Sequence, residues 1–309
     1  LRMDQRRKLR AATPRIETIA QLAAATVKPP GMAQATFDKV RAQAAIQAAQ
    51  MQGGGAPVHY ELISSAPRML SLLPAPSEGD LFFDFEGDPL YDEGDPSRSG
   101  LEYLWGVLDA AGQYTAIWAH SSTEERAAFV TFLDLVAERR SRHPDMHIYH
   151  YAPYETTALK RLAMRYQTKE KELDDLLRSE VFVDLYATVR GSVRVGQPSY
   201  SIKKLEPLYM GDQLRSAEDD AVADGGASVV AYHEYREWVR NDPAAADARL
   251  AALADYNEYD CLSTLRLRDW LLERAEEAGV REKILPRIKD VQGEELSGDD
   301  PVFLSLMAK

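Results

Sequence analysis

The order of apolar and polar positions divides the chain into short apolar runs, which are typical of strands, and longer stretches with helical spacing. Strands are predicted at 80–86, 102–109, 113–119, 147–151 and 181–184, with a short strand or extended arm at 58–64. The turn Ala110-Ala111-Gly112 joins the second and third of the core strands into a hairpin. The first three core strands therefore predict a three-stranded antiparallel meander.

Helices are predicted between and after these strands. The stretch 123–140 repeats apolar residues three or four positions apart, which gives a helix one face to bury. Further helices are predicted at 154–166, 169–178, 185–193, 202–209, 227–240 and 244–278, and an acidic loop at 216–226. A meander followed by alternating helices and strands predicts an α/β fold, in which helices flank a mixed sheet.

The first 51 residues predict a small helical unit in front of this sheet. Basic residues crowd positions 1–13, and helices at 16–26 and 33–51 flank the break Lys28-Pro29-Pro30-Gly31. Two interpretations stay open. The unit is either a helix-hairpin-helix-like module that grips a phosphate backbone through helix N-termini, or a helical linker.

The predicted domain order follows from these elements. The helical unit at 1–51 is followed by a linker or arm at 52–78, the α/β domain at 79–278, and a tail or the start of a further domain at 279–309. Because the chain opens on Leu1 in a helical pattern, we expect it to be a piece of a longer protein.

Composition and charge narrow the class of protein. The chain has 309 residues, of which 45% are hydrophobic, and this is enough for a sizeable core. The net charge of −12 argues against a protein that coats nucleic acid by charge alone, but it permits a nuclease with an acidic site. The single cysteine, Cys261, excludes an intrachain disulfide and fits a reducing compartment. With no apolar run long enough to span a membrane, we expect a soluble cytoplasmic protein.

The run Leu-Phe-Phe-Asp-Phe-Glu-Gly at 81–87 carries the first candidate chemistry. Asp84 and Glu86 are two residues apart on a predicted strand, so their carboxylates project from the same face. Two carboxylates held this close repel each other, and a divalent cation with oxygen ligands such as Mg²⁺ relieves that repulsion. The alternative is a strand whose exposed face is acidic without binding anything.

A second candidate pair lies on the long C-terminal helix. Tyr256 and Asp260 are four residues apart and share one face of the helix, which Leu253 and Thr264 extend toward the sheet. An aspartate on a packed helix face needs a partner or a metal ion. The alternative partners are two nearby arginines, Arg266 and Arg268.

These two pairs resemble the first and third motifs of the DEDDy 3′–5′ exonucleases, a branch of the ribonuclease H-like superfamily. The run His150-Tyr151-Ala152-Pro153-Tyr154-Glu155 is similar to the second motif of that family. In this run Tyr154 matches the aromatic residue, Glu155 stands where the family usually has Asp, and His150 stands where it usually has Asn.

Two further segments, 183–186 and 200–205, resemble the YprB-like branch of these domains, which occurs in large RecB-like nuclease and helicase proteins. The resemblance covers about residues 79–275 and implies a ribonuclease H-like mixed sheet. Asp184 ends a predicted strand, and we interpret it as the N-cap of the following helix.

The resemblance implies a metal-dependent 3′–5′ exonuclease that takes part in DNA repair or processing. Four acids would hold two Mg²⁺ or Mn²⁺ ions, and Tyr256 would orient the attacking water. The implied metal ligands are Asp84, Glu86, Glu155 and Asp260, and the implied substrate contacts are His150, Tyr154, Tyr200, Lys203 and Lys204. The alternative for Lys203 and Lys204 is that they are solvated residues at the start of a helix. The implied partners are nucleic acid, with single-stranded DNA favoured and RNA permitted, and a helicase domain in the same or a partner chain.

Two alternatives to a nuclease remain. One is a catalytically inactive ribonuclease H-like module that binds nucleic acid or positions a helicase, which the change to Glu155 keeps open. The other is a scaffold without nuclease function, in which the three motifs coincide by chance.

Overall fold

A five-stranded mixed sheet forms the centre of the fold in the computed structural model, which describes residues 1–54, 57–94, 99–215, 222 and 225–280. The strands of this part of the chain are β1 Tyr60–Leu62, β2 Leu81–Asp88, β3 Leu101–Asp109, β4 Tyr114–Trp118, β5 Ile148–His150, β6 Phe182–Asp184 and β7 Val193–Val195. The helices are α1 Met3–Arg10, α2 Ile19–Ala24, α3 Gln34–Gln52, α4 Ala66–Leu70, α5 Ser122–Arg142, α6 Tyr154–Tyr166, α7 Glu170–Arg178, α8 Leu185–Ser192, α9 Ile202–Leu205, α10 Gly225–Trp238 and α11 Pro243–Glu277.

The strand order of the central sheet is β4-β3-β2-β5-β6. Strands β2, β3 and β4 pair antiparallel in the predicted meander, whereas β5 and β6 run parallel to β2. Strands β1 and β7 form a separate antiparallel ribbon. This arrangement confirms the predicted fold class, an α/β domain with a ribonuclease H-like mixed sheet and helices at its N-terminal end.

The two faces of the sheet are covered by different helices. Phe83 and Phe85 of β2 lie in one apolar cluster with α5, α6 and α7, whereas Phe82 lies in a second cluster with α8 and α11. Alternate residues of a strand point to opposite faces, so the aromatic residues of one strand anchor both layers. Strand β2 is consequently the central element on which the helices of both faces pack.

Side chains at the helix starts set where the helices begin. Asp184 accepts a hydrogen bond from the backbone N–H of Tyr186 at 2.9 Å, which confirms its predicted role as the N-cap of α8. Asp242 caps α11 in the same way through the N–H of Ala245, and Pro243 occupies the first turn, where a missing N–H costs nothing.

The N-terminal helices α1, α2 and α3 have an apolar core of their own, which includes Leu9, Leu22 and Phe37. On its outer side α3 contacts β7 and the residues after it, since Gln43 donates to the backbone oxygen of Val195 at 2.9 Å. The predicted segment 52–78 contains β1 and α4. The domain boundaries and the helix-hairpin-helix resemblance of the first unit stay predictions.

Elements that depend on pairing differ most from the prediction. The helix predicted at 185–193 ends at Ser192, because Val193–Val195 pairs with β1 as the unpredicted strand β7. The predicted acidic loop at 216–226 lies outside the described residues, except for Val222 and for the two glycines that open α10. The tail from residue 281 onward lies outside them as well. Within the described chain, no helix is both long enough and apolar enough to cross a membrane.

A buried ion pair ties α11 to the start of β2. Arg268 donates to Asp80 Oδ2 at 2.9 Å, and its guanidinium lies over the rings of Phe82 and Tyr149. Asp80 is fully buried, which raises its pKa, while the charge of Arg268 and two backbone N–H donors oppose that rise. The pair therefore fixes the position of α11 along the sheet.

Because the carboxylate of Asp80 stays buried when its partner is removed, Arg268→Met should lower the free energy of unfolding by about 3 kcal/mol or more. Urea unfolding followed by circular dichroism measures this change. The matched control is Arg178→Met on α7, since the Arg178 side chain is 78% exposed and pairs with Asp174 of its own helix. Equal unfolding midpoints for the two variants would contradict the proposed role of the Arg268–Asp80 ion pair in holding α11 on the sheet.

Candidate metal centre

Strand β2 presents Asp84 and Glu86 on the face of the sheet that α11 covers. Phe83 and Phe85 point to the opposite face, into the apolar cluster with α5. The alternation of the strand thus directs the carboxylates to one side, as the spacing predicts.

Helix α11 brings a third carboxylate to this pair. Asp84, Glu86 and Asp260 each offer one oxygen, and these oxygens all lie within 4.8 Å of one another. Within the described residues this is the one group of three or more potential metal-binding side chains. Three carboxylate oxygens at this spacing match the preference of Mg²⁺ and Mn²⁺ for oxygen ligands, so the donor set fits a divalent cation.

The two arginines near Asp260 in the sequence have other partners. Arg266 donates to Gln213 Oε1 at 3.0 Å, and Arg268 forms the ion pair with Asp80. Leu253 and Thr264, on the same face of α11, are buried as the sequence predicts. The face that carries Asp260 is thus the packed face of the helix.

Burial and crowding both disfavour the charged forms of these acids. Burial raises the pKa of Asp84 well above its usual range, and the charges of Asp260 and Glu86 raise it further. Burial also raises the pKa of Glu86 to about 8, although a hydrogen bond from Ser228 opposes the rise. A bound divalent cation would remove the repulsion between the carboxylates that contributes to these raised pKa values.

Uncharged donors hold the two strand carboxylates. Asn257 on α11 donates through Nδ2 to Asp84 Oδ2 at 2.9 Å. On the other side, the Ser228 hydroxyl of α10 donates to Glu86 Oε2 and is in turn in hydrogen-bond contact with the Tyr103 hydroxyl. Each strand acid is therefore oriented by a side chain from a different helix.

Tyr256 and Lys203 form a pair beside the acids. Lys203 Nζ donates to the Tyr256 hydroxyl at 2.6 Å and lies 4.3 Å from the centre of its ring. Burial raises the pKa of Tyr256, and the nearby charges of Asp260 and Glu86 raise it further, so the phenol keeps its proton. The predicted phosphate-contacting lysine thus lies next to the predicted water-orienting tyrosine.

Glu155 lies at the start of α6, near the acids but outside the group of three. Its charge raises the pKa of Asp84, and burial raises its own pKa. His150 Nδ1 is 3.2 Å from Glu155 Oε2 and 2.8 Å from the backbone oxygen of Ala152. The two residues that depart from the family's second motif are therefore in contact with each other.

The turn that carries this contact has an unusual backbone. Ala152 has a φ of 72°, a region that residues with a Cβ adopt at a cost. Its N–H donates to Asp184 Oδ1 at 2.9 Å, which links the ends of β5 and β6. Asp184 therefore supports the turn before α6 as well as capping α8.

The remaining predicted substrate contacts differ in their exposure to solvent. Tyr154 is 51% exposed, and its hydroxyl donates to Glu102 Oε1 at 3.0 Å. Tyr200 is partly buried beneath Arg190, whose guanidinium is 4.7 Å from the ring centre. Lys204 is exposed, whereas His150 is only 2% exposed.

Two residues of the site have no counterpart in the sequence prediction. Asn257 lies between the two residues of the Tyr-x3-Asp motif, but the motif does not indicate that its side chain contacts Asp84 on β2. Ser228 follows the segment 216–226 and belongs to no motif. Their burial, together with a contact to an acid, is a tertiary property, so no local pattern identifies them.

An antiparallel meander extended by parallel strands, with an acidic cluster on its central strand, defines a ribonuclease H-like α/β domain. The chain belongs to the RNase H superfamily, since the family model RNase_H_2 of that superfamily matches residues 81–272, more than half of the chain. No curated protein and no solved structure matches the chain. Membership in this superfamily is consistent with a nuclease and implies nucleic acid as the class of substrate.

The raised pKa of Glu86 gives the metal-free protein a defined pH dependence. The folded state binds a proton between about pH 4.5, the usual pKa of the side chain, and about pH 8, its pKa in the fold, whereas the unfolded state has lost it. In EDTA, the free energy of unfolding should therefore fall as pH rises through this window, by up to about 1.4 kcal/mol per pH unit for each proton.

Glu86→Gln should make this decline shallower, because one of the titrating groups is gone. Urea unfolding at several pH values measures the slope, with Glu138→Gln on the exposed side of α5 as the control. A slope that is the same in wild type and Glu86→Gln would refute the assignment of this proton to Glu86.

Proposed function

We propose that the chain is a metal-dependent 3′–5′ exonuclease of the DEDDy type, related to the YprB-like branch, that degrades single-stranded DNA. We propose further that it acts in the cytoplasm within a larger DNA-processing protein, beside a helicase domain in the same or a partner chain. RNA remains the second substrate to be tested.

The observation that carries this proposal is the convergence of Asp84 and Glu86 from the central strand with Asp260 from α11. In the proposal these acids and Glu155 hold two Mg²⁺ or Mn²⁺ ions. When bound, such ions supply the positive charge that activates the attacking water and stabilises the leaving 3′ oxygen. The acids themselves hold and orient the ions, and the apolar layer beneath β2 keeps the strand rigid.

Tyr256 has the proposed role of orienting the attacking water. A phenol that keeps its proton cannot act as a general base at neutral pH, but it remains a hydrogen-bond donor. Lys203 donates to the phenol oxygen, so the hydroxyl hydrogen must point to another acceptor. This contact supports a role of Lys203 in holding Tyr256, in addition to the predicted contact with phosphate.

The substrate strand is proposed to approach past Tyr154, Tyr200 and Lys204. An exposed aromatic ring such as that of Tyr154 stacks on bases without regard to sequence, and an exposed lysine such as Lys204 attracts the phosphate backbone. Arg190 lies over the Tyr200 ring and adds a positive charge beside it. His150 keeps its predicted substrate role in this proposal only through Glu155, which it contacts.

The proposal is tested with single strands of DNA and RNA that carry a label at the 3′ or the 5′ end. With Mg²⁺ or Mn²⁺ the 3′ label should be released first, and EDTA should abolish release. Asp260→Asn should lower the rate by more than about 100-fold, beyond what the loss of an outer partner of a metal ligand costs. The control is Asp255→Asn, earlier on the same helix α11, whose carboxylate pairs with Arg215 at the surface. Undegraded strands under every condition would exclude the exonuclease.

A second candidate function is a catalytically inactive module that binds nucleic acid or positions a helicase. The engagement of Glu155 by His150, outside the group of three acids, favours it. The two functions differ in their need for metal, since an inactive module should bind single strands equally well in EDTA and in Mn²⁺.

A substitution of Glu155 distinguishes between these two functions. If it completes the metal site, Glu155→Gln should lower the rate of strand degradation by more than about 100-fold and leave DNA binding in EDTA unchanged. Fluorescence anisotropy of a labelled strand measures the binding, and release of the 3′ label measures the rate. Wild-type activity in Glu155→Gln would show that Glu155 takes no part in catalysis, and a wild type without activity would support the inactive module.

A further inference from the structure

We propose that Asn257 is a positioning residue that holds the Asp84 carboxylate in its metal-binding orientation, and that Tyr114 and Gly106 of the neighbouring strands fix Asn257 in turn. The inference rests on the proposed metal site and names the residues on which its geometry depends. Its evidence is the contacts of these residues and not the family resemblance, because Gly106 and Tyr114 lie outside the motifs and Asn257 is an unspecified position within Tyr-x3-Asp.

The contact between Asn257 and Asp84 leaves the carboxylate able to bind a cation. Asn257 Nδ2 donates to Asp84 Oδ2 at 2.9 Å and lies 3.5 Å from the backbone oxygen of the same residue. A carboxylate has about four acceptor positions, so one hydrogen bond restricts its rotation without using up its ligand capacity. An uncharged donor also avoids the competition that a lysine or arginine would offer to the cation.

Tyr114 determines which end of the amide faces Asp84. Its hydroxyl donates to Asn257 Oδ1 at 2.8 Å, and the thiol of Cys261 is 3.9 Å from the same oxygen. With donors on its oxygen, the amide must turn its NH₂ group toward the carboxylate. Asn257 is fully buried, so water does not compete for either end.

Gly106 provides the space for the amide. It pairs directly with Asp84 in the register of β2 and β3, in the middle of an otherwise bulky strand. A Cβ at this position would lie 1.6 Å from Asn257 Oδ1 and 2.7 Å from its Cγ. Only glycine therefore lets α11 approach β3 closely enough for Asn257 to reach Asp84.

The three residues come from three elements that meet at one carboxylate: Tyr114 from β4, Gly106 from β3 and Asn257 from α11. Residues that hold a metal ligand typically contribute 10–100-fold to metal affinity. A residue with only a packing role would affect folding stability and leave metal affinity unchanged. Metal affinity and folding stability are therefore the two measurements to separate.

The test is the affinity for Mn²⁺, measured from the electron paramagnetic resonance signal of the free ion, for the wild type and three variants. Asn257→Leu keeps the size of the side chain and removes its donor, so affinity should fall about 10–100-fold. Gly106→Ala should have a similar effect, because the added methyl displaces the amide. Tyr114→Phe should cost less, since it frees the amide to turn without removing it.

Controls separate positioning from loss of structure. Tyr209→Phe removes another hydroxyl next to α11, one bonded to Ser263 at 3.0 Å, and should leave Mn²⁺ affinity unchanged. Urea unfolding in EDTA reports the stability of each variant. Should Gly106→Ala fail to fold, Tyr114→Phe still tests the inference, because it removes one oxygen atom and no packing volume.

A double variant shows whether Tyr114 acts through Asn257. In the Asn257→Leu background, Tyr114→Phe should have no further effect on Mn²⁺ affinity. Equal losses in both backgrounds would overturn this link, and wild-type affinity in Asn257→Leu would overturn the inference while the metal site stands. A wild type that binds no Mn²⁺ would overturn the inference together with the proposed function.

Discussion

The close approach of three carboxylates between β2 and α11 is the constraint on which the rest of the structure depends. Asp84, Glu86 and Asp260 repel one another, and burial raises the pKa of both strand acids. The fold offsets part of this cost with hydrogen-bond donors from Asn257 and Ser228. A divalent cation would offset the remainder, which is why this arrangement is a candidate metal centre.

Those donors come from separate helices, so the geometry of the site depends on how several elements of the domain pack together. Asn257 of α11 holds Asp84, Ser228 of α10 holds Glu86, and Lys203 of α9 brings a positive charge next to Tyr256. Helix α11 is the common support. The buried pair of Arg268 with Asp80 fixes this helix at the start of β2, and Asn257 fixes it again at the middle of that strand.

The run that resembles the second motif brings its two departures from the family pattern into contact. Glu155 is one methylene longer than the aspartate usual in the resembling family, and His150 replaces an asparagine. The structure brings the two side chains into contact, across a turn whose Ala152 has a left-handed backbone. Burial raises the pKa of Glu155, and the hydrogen bond and charge of His150 oppose that rise.

Much of the fold follows from the sequence, because its signals are local. The alternation in β2, the apolar spacing in α5 and the capping by Asp184 each arise from a few neighbouring residues, and the shared face of Asp84 and Glu86 follows from the pleat of the strand. The strand β7 and the short helix α4 were not predicted, since β7 exists only through pairing with the distant β1. For the same reason the sequence identified the acids by motif but not the residues that hold them. The sequence by itself determined the α/β class and the candidate acids, whereas only the tertiary structure decided that Gly106, Tyr114 and Asn257 meet at Asp84, because contacts between distant elements depend on how α11 packs on the sheet.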